Sequence, residues 1–284
     1  MLSLPLQSPS GGPLSVLAIG AHPDDIEIGA GGLLLGLAPG RPQVCYTVLT
    51  GTAERHQEAR NAARSFLPDA DLAIELFDLP EGRLPAVWGR VKEVLETVAR
   101  SCSPDVILAP SPHDAHQDHR TIAEIIPTVF RDQLYLAYEI PKWDGDVSRP
   151  SMYVPMSAET AARKVELLSK CFPSQRNRDW WDDEVFLGLA RLRGMECRAR
   201  YAEAFTCAKS LIVPVASAIG EPPERTLPDR RHGRGYHRVS CAICAPGAGK
   251  GAVVWRRSIS SMRRAETSSR IRRSRTKRAD MKSS

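Results

Sequence analysis

The sequence predicts an α/β protein built on a Rossmann-like, doubly wound, mostly parallel sheet in three αβα layers. A helical cap and a basic, disordered extension follow toward the C-terminus. Three observations carry this prediction. Apolar, strand-like runs alternate with helical periods across residues 14–140. Two clusters of imidazole and carboxylate residues stand directly behind the first and fourth of those runs. Past residue 212 apolar periodicity gives way to Arg, Ser, Pro, Gly and Ala.

Residues 14–20 read as a buried strand, followed by a Gly- and Leu-rich segment at 29–37 that suits a helix packed closely on a sheet. Residues 44–49 form the second strand. Over 53–66, Ala59, Ala62, Ala63 and Phe66 share one helical face. The third strand covers 72–77. The stretch 84–99 is an amphipathic helix with Val87, Val91, Val94, Leu95 and Val98 as its stripe. A fourth strand at 105–109, a helix at 122–130 and a fifth strand at 134–140 complete the pattern. Residues 141–155 read as a loop rich in Pro, Gly and Asp. Helices at 158–171 and 184–208, separated by Pro173-Ser174-Gln175 and Asp179-Trp180-Trp181, read as a cap over the site.

Composition bounds the function. At 284 residues with 42% hydrophobic content the chain can bury a sizeable core. No run approaches the roughly 18 apolar residues of a membrane span, and residues 1–13 lack the pattern of a signal peptide. Seven scattered cysteines do not read as a disulfide framework, so a reducing cytoplasm is expected. The net charge of +6 hides an asymmetry. Residues 213–284 hold 17 Lys and Arg against 5 Asp and Glu, whereas the first 212 residues hold 22 against 28. The domain reading is a flexible N-terminus at 1–13, a catalytic domain at 14–212 and a basic extension at 213–284. The extension has only two aromatics, Tyr236 and Trp255, and no recognisable binding motif, so it argues for non-specific phosphate attraction and against a specific nucleic-acid reader. An anionic-surface tether and a reading-frame change are alternative origins for it. His232, His237, Cys241 and Cys244 follow the order of a small structural zinc site, but the two pairs lie too close together for the usual framework.

The chemistry lies in Ala21-His22-Pro23-Asp24-Asp25 and His116-Gln117-Asp118-His119. In doubly wound sheets ligands bind beyond the carboxyl ends of the strands, where strand order reverses. Strands one and four commonly flank that point, so the topology brings the clusters together. A hydrolytic zinc site takes three protein ligands, leaves one position open and needs a separate carboxylate to manage the proton. These two loops hold enough groups for all of that.

With both motifs present, the chain resembles the PIG-L/LmbE family of zinc-dependent N-deacetylases, which shows (A)HPDD and HxDH, each behind a strand of a Rossmann-like sheet. The resemblance covers about residues 14–208 and includes Arg55-x-x-Glu58-Ala59 and Tyr201-Ala202-Glu203-Ala204-Phe205. It implies a zinc ion held by His22, Asp25 and His119. It makes Asp24 the general base, His116 an electrophile or acid, and Asp118 the partner that orients His116. Arg55 is expected to hold substrate or product near the metal, or else to pair with Glu54 or Glu58 on its own helix. Asp114 is expected to contact a sugar hydroxyl or to shape the turn. Glu27 is expected to support the first motif, and Trp143, Trp180 and Trp181 to pack in the core or stack on a sugar. The implied partner is a small N-acetylated sugar or glycoside; the acceptor, the oligomeric state and the choice of zinc over iron stay open. The competing readings are a metal-dependent phosphoesterase, which usually needs two metals and more carboxylates, and a non-catalytic nucleic-acid binder acting through the basic extension.

Overall fold

The computed structural model describes residues 1–212. The proposed extension at 213–284, with its His/Cys cluster, lies outside the described residues. Chain order is β1 Ser15–Gly20, α1 Asp25–Leu37, β2 Gln43–Thr50, α2 Ala53–Phe66, β3 Asp71–Leu79, α3 Trp88–Ser101 and β4 Val106–Pro110. Then come α4 Gln117–Val129, β5 Leu134–Tyr138, β6 Met152–Met156, α5 Ala158–Cys171, α6 Asp183–Glu196 and β7 Tyr201–Thr206. Among the described residues no helix is long and apolar enough to cross a membrane.

One sheet runs β3-β2-β1-β4-β5-β7-β6. Strands β1 to β5 pair in parallel, whereas β7 pairs antiparallel with both β5 and β6. Alternate residues of the central strands divide between two cores. Val16 and Ala18 of β1 and Val106 and Leu108 of β4 face the core shared with α1, α2 and α5. Leu17, Ile19, Ile107 and Ala109 face the core shared with α3 and α4. This is the expected three-layer sandwich, with strand order reversing between β1 and β4.

The Gly-rich α1 packs as closely as its composition implies. A Cβ on Gly29 would stand 2.4 Å from the Tyr138 ring, so a larger residue would push α1 off β5. At Gly32 a Cβ would meet Met156 Sδ at 2.0 Å.

The C-terminal part departs from expectation. The helix expected over 184–208 ends at Glu196, and residues 201–206 form β7, inserted between β5 and β6. Residues 152–156, read as loop, form the edge strand β6. A strand covered on both faces shows no alternation of polar and apolar residues, and in Ala202-Glu203-Ala204-Phe205 all four residues are buried. Buried Glu203 is fully tied. It accepts from Gly32 N at 2.6 Å and Leu33 N at 2.7 Å, and Lys164 Nζ donates to it at 2.7 Å. Helix α5 therefore belongs to the α1–α2 layer, and only the turn after it, Pro173–Gln175, reaches the site.

Helix α4 also starts earlier than expected, at Gln117 instead of residue 122. The His116 ring caps it, with Nδ1 accepting from Asp118 N at 3.2 Å. The second cluster thus occupies the first turn of a helix, which holds its side chains more rigidly than a loop does.

Candidate functional site

The two clusters meet at the carboxyl ends of β1 and β4. His22 Nδ1 lies 3.3 Å from His119 Nε2, His119 Nε2 lies 3.2 Å from Asp25 Oδ2, and Asp25 Oδ2 lies 3.5 Å from His22 Nδ1. Donors around a tetrahedral zinc with bonds of about 2.0–2.2 Å stand roughly 3.3–3.5 Å apart. The triangle fits such an ion without rearrangement. His116 stands over it, its ring centroid 4.8 Å from those of both His22 and His119. One donor atom of each of the three imidazoles also falls within 4.8 Å of the others. The set with Asp25 is tighter, and His116 Nδ1 is already occupied by the Asp118 N–H.

Carboxylates behind the two imidazoles fix their orientation. Asp118 Oδ2 lies 3.2 Å from His22 Nε2, and Asp114 Oδ2 lies 2.8 Å from His119 Nδ1. Each imidazole donates its outer N–H to a carboxylate and turns its other nitrogen into the triangle, the arrangement typical of metal-ligating histidines. Asp118 is fully buried and also accepts from Gly82 N at 2.6 Å and Leu84 N at 2.9 Å, supplied by the loop after β3.

Two sequence expectations are corrected here. The Asp118 carboxylate orients His22, not His116; residues 116 and 118 share one helical turn, but the side chains diverge. Asp114 is buried and spent on its own chain. Its Oδ2 takes His119, and its Oδ1 accepts from Lys142 Nζ at 2.9 Å and His116 N at 2.7 Å. Both oxygens thus serve the protein's own groups, and the bond to the His116 N–H matches the turn-shaping role the sequence also allowed.

Arg55 also turns inward. Its NH2 group donates to Asp24 Oδ2 at 2.9 Å and to the Pro23 carbonyl, and its NH1 group donates to Ser174 Oγ at 3.0 Å and Glu58 Oε2 at 3.4 Å. All four terminal N–H groups are engaged, so the expected substrate contact becomes a clamp on Asp24. Glu58 accepts in turn from Ser174 N at 2.9 Å, binding the turn after α5 to the site. Lys142, which locks Asp114, and the backbone N–H groups of Gly82 and Leu84 were invisible as site residues, because no motif links them to either cluster.

Asp24 precedes α1 with φ 110°, a backbone region costly for any residue but Gly, and its side chain makes no capping bond. Such strain costs about 1–3 kcal/mol and persists only where the surroundings over-determine it. Here the Arg55 clamp does so. Burial, partly offset by Arg55, pushes the Asp24 carboxyl up to about 6. Asp25 lies well below the carboxylate range, because His119 and His22 outweigh its burial. Burial opposes charge on His22 and His119, yet Asp118 with Asp25 raises His22 to about 10, and Asp25 with Asp114 raises His119 to about 9. The centre is a negative pocket demanding positive charge, which protons or a metal ion can supply. Burial and the neighbouring imidazoles push His116 below its ordinary value. Beneath the site burial lifts Glu27 to about 8, and Tyr46 Oη donates to it at 2.9 Å, so it supports the motif from below.

Comparison with known proteins agrees with this architecture. Residues 17–130 match the PIG-L family, described as GlcNAc-PI de-N-acetylase. The Escherichia coli K12 protein named uncharacterized deacetylase YaiS is 29% identical over 169 residues, covering 55% of this chain and 89% of its own. Diacetylchitobiose deacetylase of Thermococcus kodakarensis is 31% identical over 120 residues, 37% of this chain and 45% of that protein, so the match spans less than half of this relative. In fold the chain is similar to N,N'-diacetylchitobiose deacetylase of Pyrococcus horikoshii, with a TM-score of 0.57 at 21% identity over 72% of this chain and 86% of that one. That family match spans both motifs and the strands that join them, and together with the homologues named deacetylase it supports a place in the PIG-L/LmbE deacetylase family.

Proposed function

We propose that the protein is a zinc-dependent hydrolase that removes the N-acetyl group from an amino-sugar-containing substrate. The observation that carries this reading is the donor triangle of His22, Asp25 and His119 with the clamped Asp24 carboxylate next to it in the chain. Those three residues would hold the ion. When bound, zinc supplies Lewis acidity toward an amide carbonyl and lowers the pKa of a water molecule from about 15.7 toward 7.

The rest is the work of the chain. Asp24 accepts the proton of the attacking water, with Arg55 holding Oδ2 in place, and returns it to the departing amine. His116 has Nδ1 committed to the Asp118 N–H, so in its neutral form the proton sits on Nε2. That N–H donates to the oxyanion as it develops, an effect worth about 3–4 kcal/mol for one well-placed donor. A neutral imidazole suffices for this role. Asp118 and Asp114 position the ligands and do not touch the reaction.

An amino-sugar acceptor is supported by the family description and by relatives named for chitobiose deacetylation. A two-metal phosphoesterase is disfavoured, since the triangle includes a single carboxylate. The five cysteines among the described residues are all free, which suits the cytoplasm. Acetate release from N-acetylglucosamine and N,N'-diacetylchitobiose by the zinc-loaded protein tests the reading. Release that Asp24→Asn abolishes supports it. Absence of acetate from both sugars and from other N-acetylated glycosides overturns it.

A further inference from the structure

Three tryptophans form a ladder from the core to the rim of the site. Trp181 is buried and packs against Phe172 at 6.0 Å and Phe186 at 5.3 Å between ring centroids. Trp180 is half-buried and meets Trp181 at 5.5 Å and 65°. Trp143 comes last, 6.2 Å from Trp180 at 72°, with 67% of its surface exposed. Indoles have much apolar surface to bury, about 150–250 Å² each. A ladder whose outermost ring is left this open is not explained by core packing.

The position of the ladder gives it meaning. Trp143 follows Lys142, whose ammonium lies 2.9 Å from Asp114, the carboxylate that holds His119. Lys142 also pairs with Asp146 at 2.6 Å, and Asp146 accepts from Ala115 N at 2.5 Å beside His116. The loop bearing Trp143 is therefore bolted to one wall of the site. Trp180 lies on the segment between α5 and α6, which also carries Ser174, and Ser174 is bonded to Arg55 and Glu58 on the opposite wall. The Trp143–Trp180 contact joins the segments that lead from the two walls, and the two indole planes meet at an open corner.

We infer that Trp143 and Trp180 form a stacking surface for a second ring of the substrate, so the preferred substrate is a glycoside of at least two sugar rings. Pyranose rings present apolar C–H faces alongside hydroxyls, and exposed indoles bind such faces without requiring buried hydrogen bonds. Two planes about 70° apart can receive one ring on a face and brace it from the side. This inference rests on the deacetylase reading for the identity of the first ring.

The test measures binding separately from turnover. Intrinsic tryptophan fluorescence of the zinc-loaded full chain is titrated with N-acetylglucosamine and with N,N'-diacetylchitobiose, in the wild type, Trp143→Ala and Trp143→Phe. Since Trp143 is exposed, neither substitution threatens the fold. Trp143→Ala removes the exposed indole face and is expected to weaken disaccharide binding roughly 3- to 10-fold, with monosaccharide binding changed less than about 2-fold. Trp143→Phe is expected to recover most of the loss. Equal affinities in wild type and Trp143→Ala, equal losses for both sugars, or no disaccharide binding at all would overturn the inference. Selective binding without acetate release would support the stacking surface while sinking the proposed reaction, so the two failures are distinguishable.

Discussion

His22 Nδ1 and His119 Nε2 face each other at 3.3 Å across 97 residues of sequence, and Asp25 Oδ2 stands within 3.5 Å of both. Three electron-rich atoms this close repel one another unless protons or a metal ion lie among them. Replacing His119 with Ala removes one corner of the triangle. Zinc content after dialysis is expected to fall from about one per chain to near zero, with the fold retained by circular dichroism. Stoichiometric zinc in this variant would remove His119 from the ligand set.

Asp24 is the neighbour of a ligand and not a corner of the triangle. Asp24→Asn is expected to keep its zinc while acetate release falls roughly 100- to 10,000-fold, the range for loss of a general base. Arg55→Ala is expected to lose activity in the same direction with zinc retained, because the clamp on Asp24 is gone. Loss of metal together with activity in either variant would mean that these residues act on the ligands instead.

The carboxylate of Asp118 sits on His22, which separates two roles cleanly. If it orients a ligand, Asp118→Asn weakens zinc binding about 10- to 100-fold, measured by competition with a chromophoric chelator. If it served His116 alone, zinc affinity would be unchanged and only turnover would fall.

Glu203 is buried in β7 with Lys164 and two α1 N–H groups as its partners. Glu203→Gln strands the Lys164 ammonium in the core. Breaking a buried pair on one side costs about 3–5 kcal/mol, readable as a shift of the urea midpoint. A loss below 1 kcal/mol would show that water reaches this pair.

We propose that the catalytic domain covers residues 14–212. Past β7 the chain is still tied down, with Cys207 N on Ser151 Oγ at 3.1 Å and Lys209 Nζ on the Arg131 carbonyl at 2.6 Å. Truncation after Ile212 is expected to leave zinc content and acetate release intact. A truncated chain that fails to fold would move the boundary into the basic extension.

The parallel half of the fold was legible because its signals are local. Ala59, Ala62, Ala63 and Phe66 mark α2 by period, and all four are buried. The β1–β4 switch point followed from strand order alone and put His22 beside His119. What the sequence concealed is non-local. Glu203 looks unsuited to a buried strand until Lys164, 39 residues away, is seen to neutralise it. The family resemblance implied that Asp118 orients His116, yet the backbone N–H groups of Gly82 and Leu84 draw its carboxylate toward His22. For Arg55 and Asp114 the sequence left two readings open, a substrate contact or a local role, and the local partners Glu58 and the His116 N–H are the ones seen. Their principal partners, Asp24 for Arg55 and His119 with Lys142 for Asp114, are distant in sequence or outside the motif pattern.

The most direct measurement is acetate released from N,N'-diacetylchitobiose by one preparation assayed in three states: as purified with its metal counted, after chelation, and after zinc is restored. The account predicts one metal ion per chain, acetate release lost on chelation, and recovery on adding one equivalent of zinc. Release that continues undiminished in the metal-free protein would contradict it.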